Sequence, residues 1–307
     1  MIDHVVSKSL SKKLPLLAVS AALAVAAAAC LVAFKPVIHK IEKTSRQRSL
    51  ASRMVAGVFT DPVSGNVMPW RLYVPPGAGG SPKRLPIILV LHGGPGRGDD
   101  NLGQLDESVQ YLLSDTLQGI EPVMVLAPQA GIRTHWVNYP SFDPPFTNFD
   151  QRVIPESENI KTAIDLLRDV SRKYHADPSR IYLTGMSMGG EGSWDALTYY
   201  PHLFAAALIL NGAGDPRAMD RVRKLPIRFF HGSADTTTPV ANSRELAASL
   251  RKVGALARYK ELRGAGHDIR AQVYTRENFE WLLQQRRSAG PGLSIHRGPN
   301  ISSGPPS

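Results

Sequence analysis

Ile181-Tyr182-Leu183-Thr184-Gly185-Met186-Ser187-Met188-Gly189-Gly190 decides the fold. Ile181 to Thr184 suit a strand buried on both faces. The glycines break that strand, and the residues from Met188 onward read as a helix. A serine between two glycines, with strand before and helix after, is the G-x-S-x-G arrangement that holds a nucleophile on a sharp turn. Side chains two residues before and after the serine would collide there, so Gly185 and Gly189 are needed. The turn exposes the Ser187 hydroxyl at the C-terminal edge of a sheet. The N-terminus of the following helix favours negative charge at the same place.

Strand and helix signals alternate on both sides of this stretch. Leu85–Leu91 and Val123–Ala127 are short apolar runs, and Ala206–Leu210 and Ile227–Phe230 are further strand candidates. Ile160, Ala163, Ile164, Leu167 and Val170 recur at helical spacing. Residues 240–253 and 272–285 read as helices, and Arg258–Leu262 as extended. This order predicts an α/β fold, a mostly parallel sheet with helices on both faces.

A serine hydroxyl needs a base, and the base needs orienting. In this architecture an Asp or Glu and then a His follow the serine. His267 sits in Arg263-Gly264-Ala265-Gly266-His267-Asp268, between a strand and the last helix, and its glycines let the loop bend back over the sheet edge. His202 is at a helix end, and His296 lies in the C-terminal tail. His231 precedes the candidate acid, which is the wrong order. That acid is Asp235, in a short loop after a strand. Asp215 and Asp220 are less well placed, and Asp268 cannot readily turn back onto the neighbouring ring. A tetrahedral intermediate also needs N–H donors. Met188 supplies one. His92-Gly93-Gly94-Pro95-Gly96 supplies the other, and because Pro95 has no N–H the donor is Gly94.

The chain resembles the α/β-hydrolase superfamily. Within it, the likeness is to the esterase and predicted-peptidase group related to feruloyl esterases and polyhydroxyalkanoate depolymerases. The resemblance rests on Leu91-His92-Gly93-Gly94 with Arg97-Gly98-Asp99-Asp100-Asn101, and on Ala127-Pro128-Gln129. It rests further on Asp177-Pro178-Ser179-Arg180-Ile181-Tyr182 leading into Ser187-Met188-Gly189-Gly190, on His231-Gly232-Ser233-Ala234-Asp235, and on Gly266-His267. It implies the α/β-hydrolase fold, a Ser187–Asp235–His267 triad and hydrolysis of carboxylic esters through an acyl-enzyme, on a small-molecule or oligomeric ester. It does not fix the substrate. A serine peptidase of prolyl-oligopeptidase or iminopeptidase type is the alternative enzyme, since His-Gly-Gly-Pro-Gly also occurs in iminopeptidases. A catalytically silent surface-binding protein is the non-enzyme alternative, and the intact triad argues against it.

The stretch from Pro128 to Pro155 is long, leaves the serine's edge of the sheet and carries Trp136, Tyr139, Phe142, Phe146 and Phe149. Long loops at such an edge often bind ligands. Trp136, Phe142 and Phe146 are therefore candidates for a substrate-pocket wall; the alternative is a loop packed by its own aromatics. Trp194 and Trp281 read as helix-packing residues.

Composition bounds the rest. With 307 residues, 43% apolar and 20% charged, the chain is globular. Cys30 is the one cysteine, so no internal disulfide can form, and no zinc-ligand spacing is present. No metal or cofactor is implied. Of the net charge of +10, residues 1–56 carry +7, which argues against a nucleic-acid-binding face spread over the domain. That charge flanks 21 uncharged residues, Leu14 to Phe34. These can be a cleaved export signal with an Ala27-Ala28-Ala29 site, an uncleaved membrane anchor, or a lipoprotein signal on Cys30. The expected location is thus exported, periplasmic or extracellular, or membrane-anchored. More Lys and Arg follow the segment than precede it, which works against export. The expected organisation is residues 1–34 as signal or anchor, 35–56 as basic linker, 57–287 as catalytic domain and 288–307 as disordered tail.

Overall fold

The computed structural model describes residues 40–77, 84–139 and 145–287. The chain divides into two units, Met1–Ser49 and Leu50–Ser307. The sheet and the candidate site lie in the second. The segment 14–34 and the tail 288–307 are outside the described residues. Among the described residues no helix is long and apolar enough to cross a membrane.

Eight strands form one sheet: β1 (Val55–Thr60), β2 (Val67–Tyr73), β3 (Ile87–Leu91), β4 (Met124–Pro128), β5 (Ile181–Met186), β6 (Ala206–Leu210), β7 (Ile227–Gly232) and β8 (Arg258–Leu262). Their spatial order is β1-β2-β4-β3-β5-β6-β7-β8. β2 runs antiparallel to both its neighbours, and the remaining pairs are parallel. Every residue of β3, β4, β5 and β6 is buried. A strand covered on both faces has no polar side to show, which is why these segments read as unbroken apolar runs.

The two faces are covered by different helices. On one side Ile87, Leu89 and Leu91 pack with α4 (Glu158–Lys173), α5 (Met188–Tyr199) and α6 (Val240–Lys252). On the other, Ile88 and Val90 pack with α2 (Glu107–Leu112), α3 (Asp115–Gln118) and α8 (Arg276–Gln284). Alternate residues of one strand thus enter opposite cores, as the pleat requires. α4 starts where the Ser157 side chain accepts the Ile160 N–H at 3.1 Å, satisfying a donor the helix itself cannot. This is the α/β-hydrolase sheet expected from the sequence.

Two readings need correction. Residues 40–51 form a helix, α1, where a linker was expected, and Leu50, Ala51 and Met54 are buried. The basic side chains of this stretch dominate its composition and mask that apolar edge. The helix expected over 272–285 is two: α7 (Arg270–Val273) and α8. Tyr274 ends the first, and Thr275 caps the second, accepting the Asn278 N–H at 3.4 Å.

Candidate active site

β5, β7 and β8 are parallel, so their C-terminal ends share one edge, and Ser187, Asp235 and His267 all follow those ends. Ser187 lies between β5 and α5 with φ 58° and ψ −125°, a sparsely populated conformation for a side-chain-bearing residue. Holding it costs about 1–3 kcal/mol, which the surroundings must supply. The Ser187 N–H donates to Leu210 O at 3.0 Å, and Ser187 O accepts from Glu191 N–H at 2.9 Å. A methyl on Gly185 would sit 2.2 Å from Gly189 O, and one on Gly189 would sit 1.9 Å from Leu91 O. The first is the collision expected from the sequence. The second shows that β3 also needs a glycine in the turn.

The structure joins the candidate acid and base. The His267 Nδ1–H donates to Asp235 Oδ2 at 2.7 Å. This leaves Nε2 as the basic nitrogen, since a carboxylate can only accept. The Asp235 side chain is fully buried and that of His267 is 26% exposed. Asp235 Oδ1 accepts the N–H groups of Thr237 and Thr238 at 2.8 and 3.0 Å. Burial works to raise the Asp235 pKa, but hydrogen bonds from His231, His267 and the Thr238 N–H outweigh it, and the carboxyl is held below the usual range. Asp235 is therefore a charged partner for an imidazolium at neutral pH. Among the described residues no hydrogen bond joins Ser187 Oγ to His267. Such contacts tighten when substrate binds.

Gly94 opens a tight 3₁₀ turn, Gly94–Gly96, at the end of β3. A methyl on neighbouring Gly93 would lie 3.9 Å from Ser187 Cβ, which places this turn beside Ser187. Arg97 Nε–H donates to Gly94 O at 3.1 Å, and Gly96 N–H to Gly93 O at 2.9 Å. Met188 is the first residue of α5, so its N–H has no acceptor within the helix. Met188 thus directly follows Ser187, and Gly94 lies one residue past Gly93, which adjoins it.

His92 braces the same turn, a role the sequence reading missed. It is buried, and burial, partly offset by its bond to Gly93 O, lowers its pKa to about 4. It is therefore neutral. Its Nε2 accepts the Ala130 N–H at 3.0 Å, so the proton is on Nδ1, which donates to Gly93 O at 2.7 Å.

The aromatic loop differs from expectation. Trp136 is fully buried and does not line an open pocket. Its Nε1–H donates to His92 O at 3.0 Å, and its ring lies 5.1 Å from that of His92. It is a core residue beneath the glycine turn. Phe146 is half-buried and packs on Tyr139 and His135, with ring centroids 5.6 and 5.5 Å apart. Phe149 joins the cluster through Tyr139 at 5.4 Å. The loop is packed by its own aromatics, the alternative the sequence left open. Phe142 lies outside the described residues. Among the described residues no group of three or more His, Cys, Asp or Glu is arranged to hold a metal.

His231 and Asn211 also surround the acid. His231, set aside as a base, is fully buried with Nε2 at 3.3 Å from Asp235 Oδ2. Its position just before Gly232-Ser233-Ala234-Asp235 is the signal that could have found it.

Known proteins are similar to this chain. Residues 124–276 match the dienelactone hydrolase family. A protein of Oryza sativa subsp. japonica named as a probable carboxylesterase is 22% identical over 224 residues, covering 68% of this chain and 91% of its own length. The crystal structure of a thermostable esterase is 31% identical with a TM-score of 0.70, over 78% of this chain and 64% of that one. The chain thus spans under two thirds of that esterase. A ferulic acid esterase, 15% identical with a TM-score of 0.54 over 75% of this chain and 96% of its own, shares the fold. Sheet order, the strand–turn–helix around Ser187 and these likenesses agree on an α/β-hydrolase fold, and the chain is similar to carboxylesterase-like hydrolases.

Proposed function

We propose that Ser187, His267 and Asp235 hydrolyse small carboxylic esters through an acyl-enzyme. The observation that carries this reading is the 2.7 Å His267–Asp235 hydrogen bond on the sheet edge that holds Ser187 at positive φ. His267 Nε2 takes the Ser187 proton as Oγ attacks the ester carbonyl. Asp235 holds the imidazole and stabilises the imidazolium. The N–H groups of Gly94 and Met188 receive the developing oxyanion, each worth about 3 kcal/mol in the transition state. His267 returns the proton to the departing alkoxide, then activates a water that releases the acid and regenerates Ser187. Turnover of short p-nitrophenyl esters by Ser187→Ala tests this. A loss of about 10⁴-fold or more in kcat is expected, and unchanged turnover would remove Ser187 from the mechanism.

The uncharged run Leu14–Phe34 with its basic flanks supports a second part of the proposal, export or membrane anchoring of the domain. Cell fractionation with N-terminal sequencing reads it. A new N-terminus near Phe34, a lipidated Cys30 or intact protein in membranes supports it, and full-length chain wholly in the soluble cytoplasmic fraction overturns it.

A further inference from the structure

Asn211, directly after β6, is fully buried with φ 49°. Its side-chain amide touches both partners of the proposed proton relay. Nδ2 donates to Asp235 Oδ2 at 2.7 Å and to the backbone oxygen of His267 at 2.6 Å. An amide nitrogen has two hydrogens, so both bonds form at once. Asn211 Oδ1 accepts the Gly232 N–H at 3.4 Å, and its own N–H donates to Phe230 O at 2.9 Å. One side chain just past β6 therefore ties together the end of β7, the acid loop and the base loop. Aspartate would offer no donor, and serine one hydrogen on a shorter arm.

We propose that Asn211 is a positioning residue that fixes His267 and Asp235 in register for proton transfer. This rests on the triad assigned above. Asn211 is fully buried and its side chain bonds to Asp235, His267 and Gly232 and not to Ser187, so its effect falls on kcat and leaves KM nearly unchanged. The left-handed backbone is where asparagine is favoured among side-chain-bearing residues, and it aims the amide between the two loops. Other charged or titratable groups facing the pair are His231, at 3.3 Å from Asp235 Oδ2, and Asp268 beside His267, itself bonded to Arg270 at 2.6 Å. None of these replaces a donor to the His267 carbonyl.

Two variants test the proposal. Asn211→Gly deletes the amide where glycine adopts the backbone freely. Asn211→Asp keeps the size but sets a second anion against Asp235 and an acceptor against the His267 carbonyl. kcat is normalised to sites titrated with a fluorophosphonate, so a partly unfolded variant is still read. Asn211→Gly is expected to lower kcat about 10- to 100-fold with KM within about threefold. Asn211→Asp is expected to lower kcat more and move the acid limb of the kcat/KM profile to higher pH, because an added anion favours the imidazolium. Ser187→Ala and His267→Ala run alongside. If those two keep wild-type turnover, the triad assignment falls. If they are inactive while both Asn211 variants keep wild-type kcat and acid limb, the positioning role alone is overturned.

Discussion

Replacing Trp136 separates a core residue from a pocket wall. Trp136 has no exposed surface. Its Cβ approaches to 2.4 Å the point where a methyl on Gly192 would stand, so the indole fills the space beside α5. Trp136→Ala removes the whole indole and is expected to destabilise by about 3–5 kcal/mol. Trp136→Phe keeps a ring but strands the His92 carbonyl that Nε1 serves at 3.0 Å. A buried acceptor left unpaired costs about 1–3 kcal/mol. Against a total stability of about 5–15 kcal/mol, both losses are readable as lower midpoints in urea unfolding followed by far-UV circular dichroism, at equal slope. Both variants should also lower kcat, because the His92 carbonyl adjoins the turn that carries Gly94. Trp136→Ala within about 1 kcal/mol of the parent, together with a raised KM, would refute the reasoning and restore Trp136 to the pocket.

Two further outcomes follow from the same geometry. Gly189→Ala forces a methyl to 1.9 Å from Leu91 O and 2.9 Å from His92 O. Because these are backbone atoms, the loss of stability should reach the upper end of the roughly 1–3 kcal/mol seen for overpacking, with activity falling further; a variant with parental melting and turnover contradicts this. Burial pushes the Asp195 carboxyl up to about 7, against a 2.8 Å hydrogen bond from Gln151 Nε2. Between about pH 4 and that value the native state holds a proton the unfolded chain has released, so stability falls as pH rises through the window. Asp195→Asn should remove this slope and stabilise at pH 8 by a few kcal/mol, on the order of 1.4 kcal/mol per pH unit crossed; thermal unfolding from pH 5 to 8 with identical slopes in both proteins excludes it.

The parts of the fold legible in the sequence are those set by local chemistry. β5, the glycines around Ser187 and the start of α5 follow from period and sterics within ten residues. Asp235 and His267 were legible because each occupies a short loop after a strand and their order is fixed by the architecture. β2 was hidden by Pro69 in its middle, which argues against a strand. Trp136 was misassigned because an aromatic in a long loop has the same local signature whether it faces the core or a ligand. Asn211 was invisible for a different reason. A neutral residue after a strand carries no charge or spacing signal, and its partners lie 24 and 56 residues away. Only the sheet order brings them together.

The central claim is that Ser187 is the nucleophile of an acyl-enzyme. Rapid mixing of folded protein with a p-nitrophenyl ester, then acid quench and peptide mass analysis, tests it most directly. An acyl-enzyme on Ser187 gives a burst of p-nitrophenol equal to the enzyme concentration where deacylation is slow, with the acyl mass on the peptide holding Ser187, and no burst in Ser187→Ala. Turnover with the acyl group on another residue, or a burst that survives Ser187→Ala, would contradict it.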